Sequence, residues 1–264
     1  AGMLDCKKAL EQAGGDFSKA EKLLKEQGLA AASKRSERAT NEGRVFSKLA
    51  DKKAALLELS CETDFVARNQ DFITLGDTLL SKIIENNLTQ SNEALENLVK
   101  EAIGRIKENL TLRRFTTLEK SEKDYLCDYI HGEGKIGVLV KASSENPKDF
   151  ENQKIREILI DCALHIAAYN PGFMTKKAVS AEYLKEQEEI FAKQVENLGK
   201  PANVLAGIVQ GKLNKHLAEI CFLQQPFVKD DKRSVEKVLE DLNKENSTKV
   251  SINTYLYYRV GESL

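Results

Sequence analysis

The sequence predicts an α+β protein built from several units, and three patterns support this prediction. A segment with the order hairpin, loop and helix, Gly43 to Asn86, is followed by a second with the same order, Tyr125 to Ala168. Ser180 to Gln225 has the apolar spacing of two antiparallel helices. The first 29 residues carry a helical pattern that glycines interrupt. We therefore expect a helical N-terminus, two tandem α+β units with antiparallel sheets, and a helical hairpin.

The N-terminal segment predicts two short helices. The first covers Leu4 to Ala13 and ends at the glycine pair Gly14 and Gly15, because glycine tolerates the positive φ of a helix C-terminus. The second covers Ser18 to Gln27 and is expected to stop at Gly28. Two short helices bury too little apolar surface for a core of their own. We therefore expect a third helix upstream of them.

The first α+β unit begins with "GRVFSKLADKKAALLELS", whose two β-type runs predict a hairpin that turns around Ala50 to Lys53. Apolar residues at helical spacing then predict one helix over Phe72 to Asn86 and a second over Asn92 to Lys107. "NLTLRRFTTLEK" follows as a strand. The hairpin, the loop after it and the first of these two helices make up the first of the two similar α+β units.

The second unit repeats this order. "DYLCDYIHGEGKIGVLVKASS" predicts two strands with a turn at His131 to Gly134, and a helix is predicted over Glu151 to Ala168, where Pro171 prevents its continuation. Near the C-terminus, "KVSINTYLYYRVGE" alternates apolar and polar residues and predicts a strand that returns to this unit.

Between the predicted helix Glu151 to Ala168 and the C-terminal strand, Ser180 to Gln225 predicts a helical hairpin that projects from the body of the protein. The chain reverses at Gly199 to Pro201, with glycine after one helix and proline before the next. The residues expected in the seam are Leu184, Phe191, Val195 and Leu198, facing Leu205, Val209, Leu213 and Leu217.

The composition argues against several classes of protein. Lys plus Arg number 40 and Asp plus Glu 41, and this balance is unlike the basic excess of nucleic-acid binders. No stretch reaches the roughly 20 apolar residues of a membrane span, and no signal peptide is visible. The five cysteines form no C-x-x-C pair, which favours neither a disulfide framework nor a zinc site. We expect a cytoplasmic protein without a metal ion, membrane contact or direct nucleic-acid contact.

An enzyme reading has one candidate pair. Cys162 and His165 stand at i and i+3 on one predicted helix, where a thiolate and an imidazole could meet. They lie in "ILIDCALHIAA", a very apolar segment, so buried structural residues are the favoured interpretation. The sequence contains no glycine-rich phosphate-binding motif and no Gly-x-Ser-x-Gly. A cysteine enzyme stays an alternative, and no cofactor is expected.

The segment "TDFVARN" lies between a predicted strand and a predicted helix. Thr63 could cap a helical turn, with Asp64 at its positive end and Arg68 four residues further on. The pattern alone favours a core position for Phe65, since aromatic residues are more often buried than held out for a partner.

Several motifs in order resemble the elongation factor Ts family, over nearly the whole chain. "ETDFVARN" (Glu62 to Asn69) resembles the signature of the family, and "AGMLDCKKALEQAGGD" (Ala1 to Asp16) a second one, in its ubiquitin-associated-like N-terminal domain. The further matches are "ENLTLRR" (Glu108 to Arg114), "YIHGEGKIGVLV" (Tyr129 to Val140) and "QPFV" (Gln225 to Val228). Lys107 departs from the pattern, since some members have a small residue there.

This resemblance implies a guanine-nucleotide exchange factor that binds elongation factor Tu and loosens its GDP by displacing Mg²⁺. It implies that four residues cause this displacement, with Phe65 exposed so that it acts as a wedge. They are Thr63, Asp64, Phe65 and Val66. Further contacts implied are Met3, Leu4, Lys7, Ile106, His131 and Val228. Other interpretations stay open: Met3, Leu4 and Ile106 could be core residues, and His131 could serve the hairpin turn.

The resemblance also implies a domain organisation. Residues 1–38 would form a ubiquitin-associated-like domain that lacks its first helix, together with a linker, and residues 39–112 a first core subdomain. Residues 113–179 and 226–264 would form the second core subdomain, interrupted by a protruding coiled coil over residues 180–225. A homodimer is left open, and the alternative function is a helical adaptor module that binds another protein.

Overall fold

A computed structural model of the chain describes residues 3–263, apart from the side chains of residue 25 and residues 29–34. Residues 1 and 2, which begin the predicted N-terminal domain, lie outside the described residues. The chain divides into two compact units. The first comprises residues up to 122, 126–141 and from 255 onward, and the second comprises residues 123–125 and 142–254. The fold is α+β, as predicted.

Two helices open the first unit, α1 (Met3–Gln12) and α2 (Phe17–Arg35). The predicted stop at Gly28 is wrong, because α2 continues through it to Arg35. A Cβ built on Gly104 would lie 3.3 Å from the Cα of Gly28, so these two glycines allow α2 and the later helix of the same unit to approach closely. Gly28 therefore serves helix packing and does not end the helix.

A three-stranded antiparallel sheet with the order β1-β2-β3 forms the centre of the first unit. Its strands are β1 (Glu42–Leu49), β2 (Lys53–Cys61) and β3 (Leu110–Glu119). The predicted turn between β1 and β2 is confirmed, and Ala50 N–H donates to the carbonyl of Lys53 at 2.8 Å.

Three helices lie between β2 and β3 in the chain. They are α3 (Asp64–Ala67), α4 (Gln70–Glu85) and α5 (Glu93–Ile106). The apolar faces of α4 and α5 pack with β2 in one core, whose largest fully buried side chains include Phe72, Leu57 and Leu79. Both long helices match their predicted ranges to within two residues at each end.

A buried carboxylate ties the C-terminal segment to this sheet. Glu58 of β2 is fully buried, and it accepts from Arg114 Nε at 2.7 Å and from Gly261 N–H at 3.0 Å. The Arg114 guanidinium also lies 4.1 Å from the centre of the Tyr258 ring. Because a buried charge is tolerated only when it is paired and hydrogen-bonded, these contacts specify where the end of the chain lies in this unit.

A second sheet has the order β4-β5-β8, with β4 (Asp124–His131), β5 (Ile136–Ser143) and β8 (Ser251–Arg259). The predicted turn between β4 and β5 is confirmed. Gly134 N–H donates to the carbonyl of His131 at 3.2 Å, and Gly132 and Glu133 both have positive φ. Helix α6 (Gln153–Tyr169) follows, close to its predicted range.

The second unit holds the predicted helical hairpin, α7 (Ala181–Val195) and α8 (Ala202–Ile220). Tyr183 Oη contacts His216 Nε2 at 2.8 Å and Lys212 Nζ donates to Gln194 Oε1 at 3.0 Å, so the two helices run antiparallel. Leu198 was expected in the seam and is 52% exposed, because α7 ends at Val195, before this residue.

Two short strands and a helix of the second unit were not predicted. A short antiparallel pair, β6 (Pro226–Phe227) and β7 (Asp230–Ser234), precedes helix α9 (Val235–Asn246). Ser234 caps α9, and the buried residues Val235, Val238, Leu239 and Leu242 have helical spacing, so the sequence did contain this signal. No helix within residues 3–263 is both long enough and apolar enough to cross a lipid bilayer.

Candidate functional site

Helix α3 is a single turn that begins at the predicted cap. Thr63 has extended backbone, and its hydroxyl oxygen accepts from Val66 N–H at 3.4 Å. Asp64 is the first residue of the helix, where a negative charge is favourable. Ala67 is buried in the core of the first unit and Val66 packs against that core. One side of the turn is therefore anchored in the protein interior.

Phe65 lies on the other side of this turn and is 82% exposed. It is not a core residue, although the pattern alone favoured that position. A side chain of this size normally contributes to stability through its burial. Phe65 buries little of its surface and so contributes little to stability in this way. Other groups hold in place the turn that carries Phe65.

The four-residue turn is joined to the β4–β5 turn by ion pairs. Arg68 Nη2 lies 3.8 Å from Asp64 Oδ2, and Arg68 Nε lies 3.3 Å from Glu133 Oε2. His131, at the start of the β4–β5 turn, is exposed, and its Nδ1 lies 3.2 Å from the hydroxyl of Tyr129. The structure therefore brings Asp64, Phe65 and the turn that carries His131 to one region of the first unit.

The predicted contact residues on α1 form an exposed apolar patch. Met3 is 93% exposed, Leu4 is 73% exposed, and Lys7 is exposed beside them. An open cavity of about 930 Å³ along this face is lined by these three residues together with Cys6 and Leu10. The open interpretation of Met3 and Leu4 as core residues finds no support among the described residues.

Ile106 and Val228 differ from the other candidates because both are half-buried. Ile106 is the last residue of α5 and packs against the core of the first unit. Lys107, which follows it, has a φ of 67° and its Nζ lies 4.0 Å from Asp5 Oδ2 on α1. The end of α5 therefore adjoins the exposed patch of α1.

Val228 belongs to the second unit, and its backbone explains the role of His165. Val228 N–H donates to His165 Nδ1 at 3.1 Å, so the ring carries its hydrogen on Nε2, which donates to Gln225 Oε1 at 2.9 Å. Burial lowers the pKa of His165 below its usual range. Both ring nitrogens are occupied, so His165 is not free to act as a base for Cys162. The dyad hypothesis is therefore not supported.

The five cysteines are all reduced thiols, and four of them are buried. Burial raises the pKa of Cys61 to about 12, with the nearby Glu108 carboxylate adding to the effect. Burial also raises the pKa of Cys127 to about 12. These two thiols therefore remain protonated at neutral pH and are poor nucleophiles. Within residues 3–263 no three metal-ligating side chains lie together.

The sequence patterns did not point to the residues that hold α3 in place. Glu108, at the junction of α5 and β3, accepts from Thr63 N–H at 3.1 Å and from the Thr63 hydroxyl at 2.8 Å. Glu62 accepts from Asn109 N–H at 2.6 Å. The sequence did offer a signal, because Glu62 belongs to "ETDFVARN" and Glu108 to "ENLTLRR", two of the motifs quoted above.

Comparison with known proteins gives consistent matches. A family model described as "Elongation factor TS" matches residues 62–262. The chain is 44% identical over 261 residues to an elongation factor Ts of Treponema denticola, covering 99% of this chain and 93% of that protein. It is 44% identical over 262 residues to the elongation factor Ts of Borrelia hermsii and 43% identical to that of Borreliella burgdorferi. Each of these two matches covers 99% of this chain and 94% of the relative.

Proposed function

The chain belongs to the elongation factor Ts family, and from this premise we propose that it is a guanine-nucleotide exchange factor for elongation factor Tu. Membership of the family supports a role in translation elongation. In the proposed reaction the protein binds elongation factor Tu with GDP, promotes the release of GDP and leaves the site open to GTP. It makes and breaks no covalent bond, so it is not an enzyme in the usual sense.

The exposure of Phe65 is the observation that carries this proposal. An aromatic side chain that is 82% exposed on an anchored turn is available to enter a pocket of another protein. Aromatic anchors of this kind supply much of the binding energy at protein interfaces. Because α3 is already formed, little conformational entropy has to be lost when Phe65 is inserted.

The mechanism follows from what GDP binding needs. In the proposal, Phe65 and Asp64 wedge between helices of the GTPase domain of the partner, beside its magnesium site, with Thr63 and Val66 holding the turn. Mg²⁺ tolerates little departure from octahedral geometry, and the phosphates depend on oriented backbone donors. A small displacement of these groups weakens the binding of GDP, and each tenfold loss of affinity needs about 1.4 kcal/mol.

The other candidate residues would add binding energy around the wedge. Met3, Leu4 and Lys7 are exposed and can make contact with the GTPase domain. His131 is exposed, whereas Ile106 and Val228 offer only part of their side chains. The binding of the two ligands to elongation factor Tu is coupled reciprocally. The exchange protein lowers the affinity for GDP as many-fold as GDP lowers the affinity for the exchange protein.

The finer architecture belongs to the same proposal. We propose that α1 and α2 are part of the ubiquitin-associated-like N-terminal domain, and that α7 and α8 form the protruding coiled coil. The antiparallel contacts between α7 and α8 support the second assignment. The reduced thiols are consistent with the cytoplasmic setting that we propose. A homodimer and the predicted domain boundaries stay predictions.

The test is the release of labelled GDP from purified elongation factor Tu, with and without this chain. We expect faster release that saturates as the concentration of the chain rises. Binding to elongation factor Tu without any acceleration would contradict the proposal and favour the adaptor module. The absence of both binding and acceleration would remove the partner assignment.

A further inference from the structure

One carboxylate accepts both donors of the residue that caps α3. Glu108 Oε1 accepts from the Thr63 hydroxyl at 2.8 Å and Glu108 Oε2 accepts from Thr63 N–H at 3.1 Å. These are hydrogen bonds to a charged acceptor, which are shorter and stronger than those between neutral groups. Glu108 lies in the segment between α5 and β3, 45 positions from Thr63 along the chain. A residue far away in the sequence thus sets the start of α3.

Helix α3 needs such support because it is short and its cap bond is long. It has four residues, far fewer than an isolated helix requires in water. The cap bond from Val66 N–H to the Thr63 hydroxyl is 3.4 Å long, beyond the usual range for a strong hydrogen bond. The contacts with Glu108 are shorter, so the position of Thr63 depends on Glu108 more than on the cap itself.

The surrounding contacts make this arrangement reciprocal. Glu62, just before Thr63, accepts from the N–H of Asn109, which directly follows Glu108, at 2.6 Å. The Thr63 carbonyl accepts from the Cys61 thiol at 3.1 Å. The two chain segments therefore hold each other beneath the turn. Phe65, which buries little of its own surface, takes its direction from them.

We propose that Glu108 is the positioning residue of the exchange reaction, an inference that rests on the proposed function. Its carboxylate keeps the α3 turn ordered so that Phe65 points outward. The contacts of α1 and of the second unit do not involve Glu108, so a variant without this carboxylate still binds elongation factor Tu. The fraction of bound molecules with an ordered turn then decides how often Phe65 enters. Loss of Glu108 therefore lowers the maximal rate of GDP release more than it raises the half-saturating concentration.

The experiment compares Glu108→Ala and Glu108→Gln with the matched control Glu96→Gln, an exposed acid on α5 that pairs with Lys100. GDP release from elongation factor Tu is followed over a concentration series. Because the loss of a hydrogen bond to a charged group changes an equilibrium by roughly tenfold or more, we expect the maximal rate to fall at least about tenfold in Glu108→Ala. We expect a smaller fall in Glu108→Gln, which keeps one acceptor, and no change in Glu96→Gln.

A double-mutant cycle adds a readout that general destabilisation would not move. Thr63→Val removes the hydroxyl donor and should slow release in the otherwise unchanged protein. It should have little further effect in Glu108→Ala, because the acceptor is already absent. Thermal unfolding of each variant verifies folding. If Glu108→Ala does not fold, the nearly isosteric Glu108→Gln takes its place in the cycle; it keeps one neutral acceptor, so Thr63→Val should then have a smaller effect than in the otherwise unchanged protein.

A second measurement needs no partner. Hydrogen exchange of the Thr63 amide, followed by NMR in the free protein, should lose its protection in Glu108→Ala and keep it in Glu96→Gln. Two results in Glu108→Ala would overturn the positioning role. One is a Thr63 amide that keeps its protection, and the other is a Thr63 amide that loses its protection while the maximal rate of GDP release stays unchanged. If the unmodified protein does not accelerate GDP release at all, the proposed function fails, whereas the amide measurement still decides whether Glu108 orders the turn.

Discussion

Replacing Phe65 by alanine removes an aromatic side chain that is 82% exposed, so stability and activity should respond differently. A fully buried phenylalanine costs about 3–5 kcal/mol when it is truncated to alanine. About a fifth of the Phe65 surface is buried, which scales this cost to about 0.5–1 kcal/mol. The higher helix propensity of alanine offsets roughly half of that. The free energy of unfolding should therefore change by less than about 1 kcal/mol.

The effect on exchange should be much larger. Without the ring nothing of comparable size remains on α3 to enter the partner, so GDP release from elongation factor Tu should slow sharply. The complex should still form through the other contacts. We expect Asp64→Ala to act in the same direction and more weakly, because its carboxylate assists where the ring has to enter.

Thermal unfolding and labelled-GDP release, measured on the same preparations, provide the assay. A change of 1 kcal/mol shifts the melting temperature of a protein of this size by about 2–4 °C, so Phe65→Ala should stay within that range. Phe72→Ala is the matched control, since Phe72 is fully buried on the next helix and should lower the melting temperature by at least about 6 °C. If Phe65→Ala melts like Phe72→Ala and its exchange per folded molecule is unchanged, the wedge is refuted.

Further predictions concern stability. Gly76→Ala should cost about 1–3 kcal/mol in chemical unfolding, because its Cβ would lie 2.4 Å from the buried Phe46 ring. Gly211→Ala, whose Cβ would meet nothing within 4 Å, should stabilise by about 0.5–1 kcal/mol, and the reverse order would contradict this packing. Lys107→Gly should stabilise by about 1 kcal/mol, since its φ of 67° strains any residue with a Cβ, and a loss would show that the Lys107 side chain matters more. Burial lowers the pKa of His165, so the stability that the neutral ring contributes is present above pH about 6.5 and is lost as the pH falls through the folded-state pKa. Denaturant titrations at a series of pH values should show this loss of stability, and a smaller loss in His165→Gln.

Local signals predicted most of the regular structure. The ranges of α4, α5 and α6 follow from apolar residues at helical spacing, and both predicted hairpin turns lie where turn residues interrupt the β-type runs. Helix α9 had an equally clear signal, with Ser234 as its cap, and was overlooked. These elements could be predicted because spacing, capping and turn chemistry act between residues only a few positions apart.

The sequence did not predict features that depend on packing between segments far apart in the chain. Gly28 had the local signature of a helix end, yet α2 runs through it, and Gly104 of α5 packs closely against it. Glu58 stands in an apolar strand with no visible reason for a charge, and its partners Arg114 and Gly261 come from other parts of the chain. In both cases the contact partner is a residue that no local window contains.

Phe65 shows this division most clearly. Its sequence neighbourhood specified a capped turn between a strand and a helix, and that turn is present, with Thr63 as its cap. Whether the ring points inward or outward could not be decided by pattern, which favoured the core, and family resemblance supplied the opposite expectation. The tertiary structure decided it, because the sides of α3 become distinct only when Ala67 enters the core and Glu108 closes on Thr63.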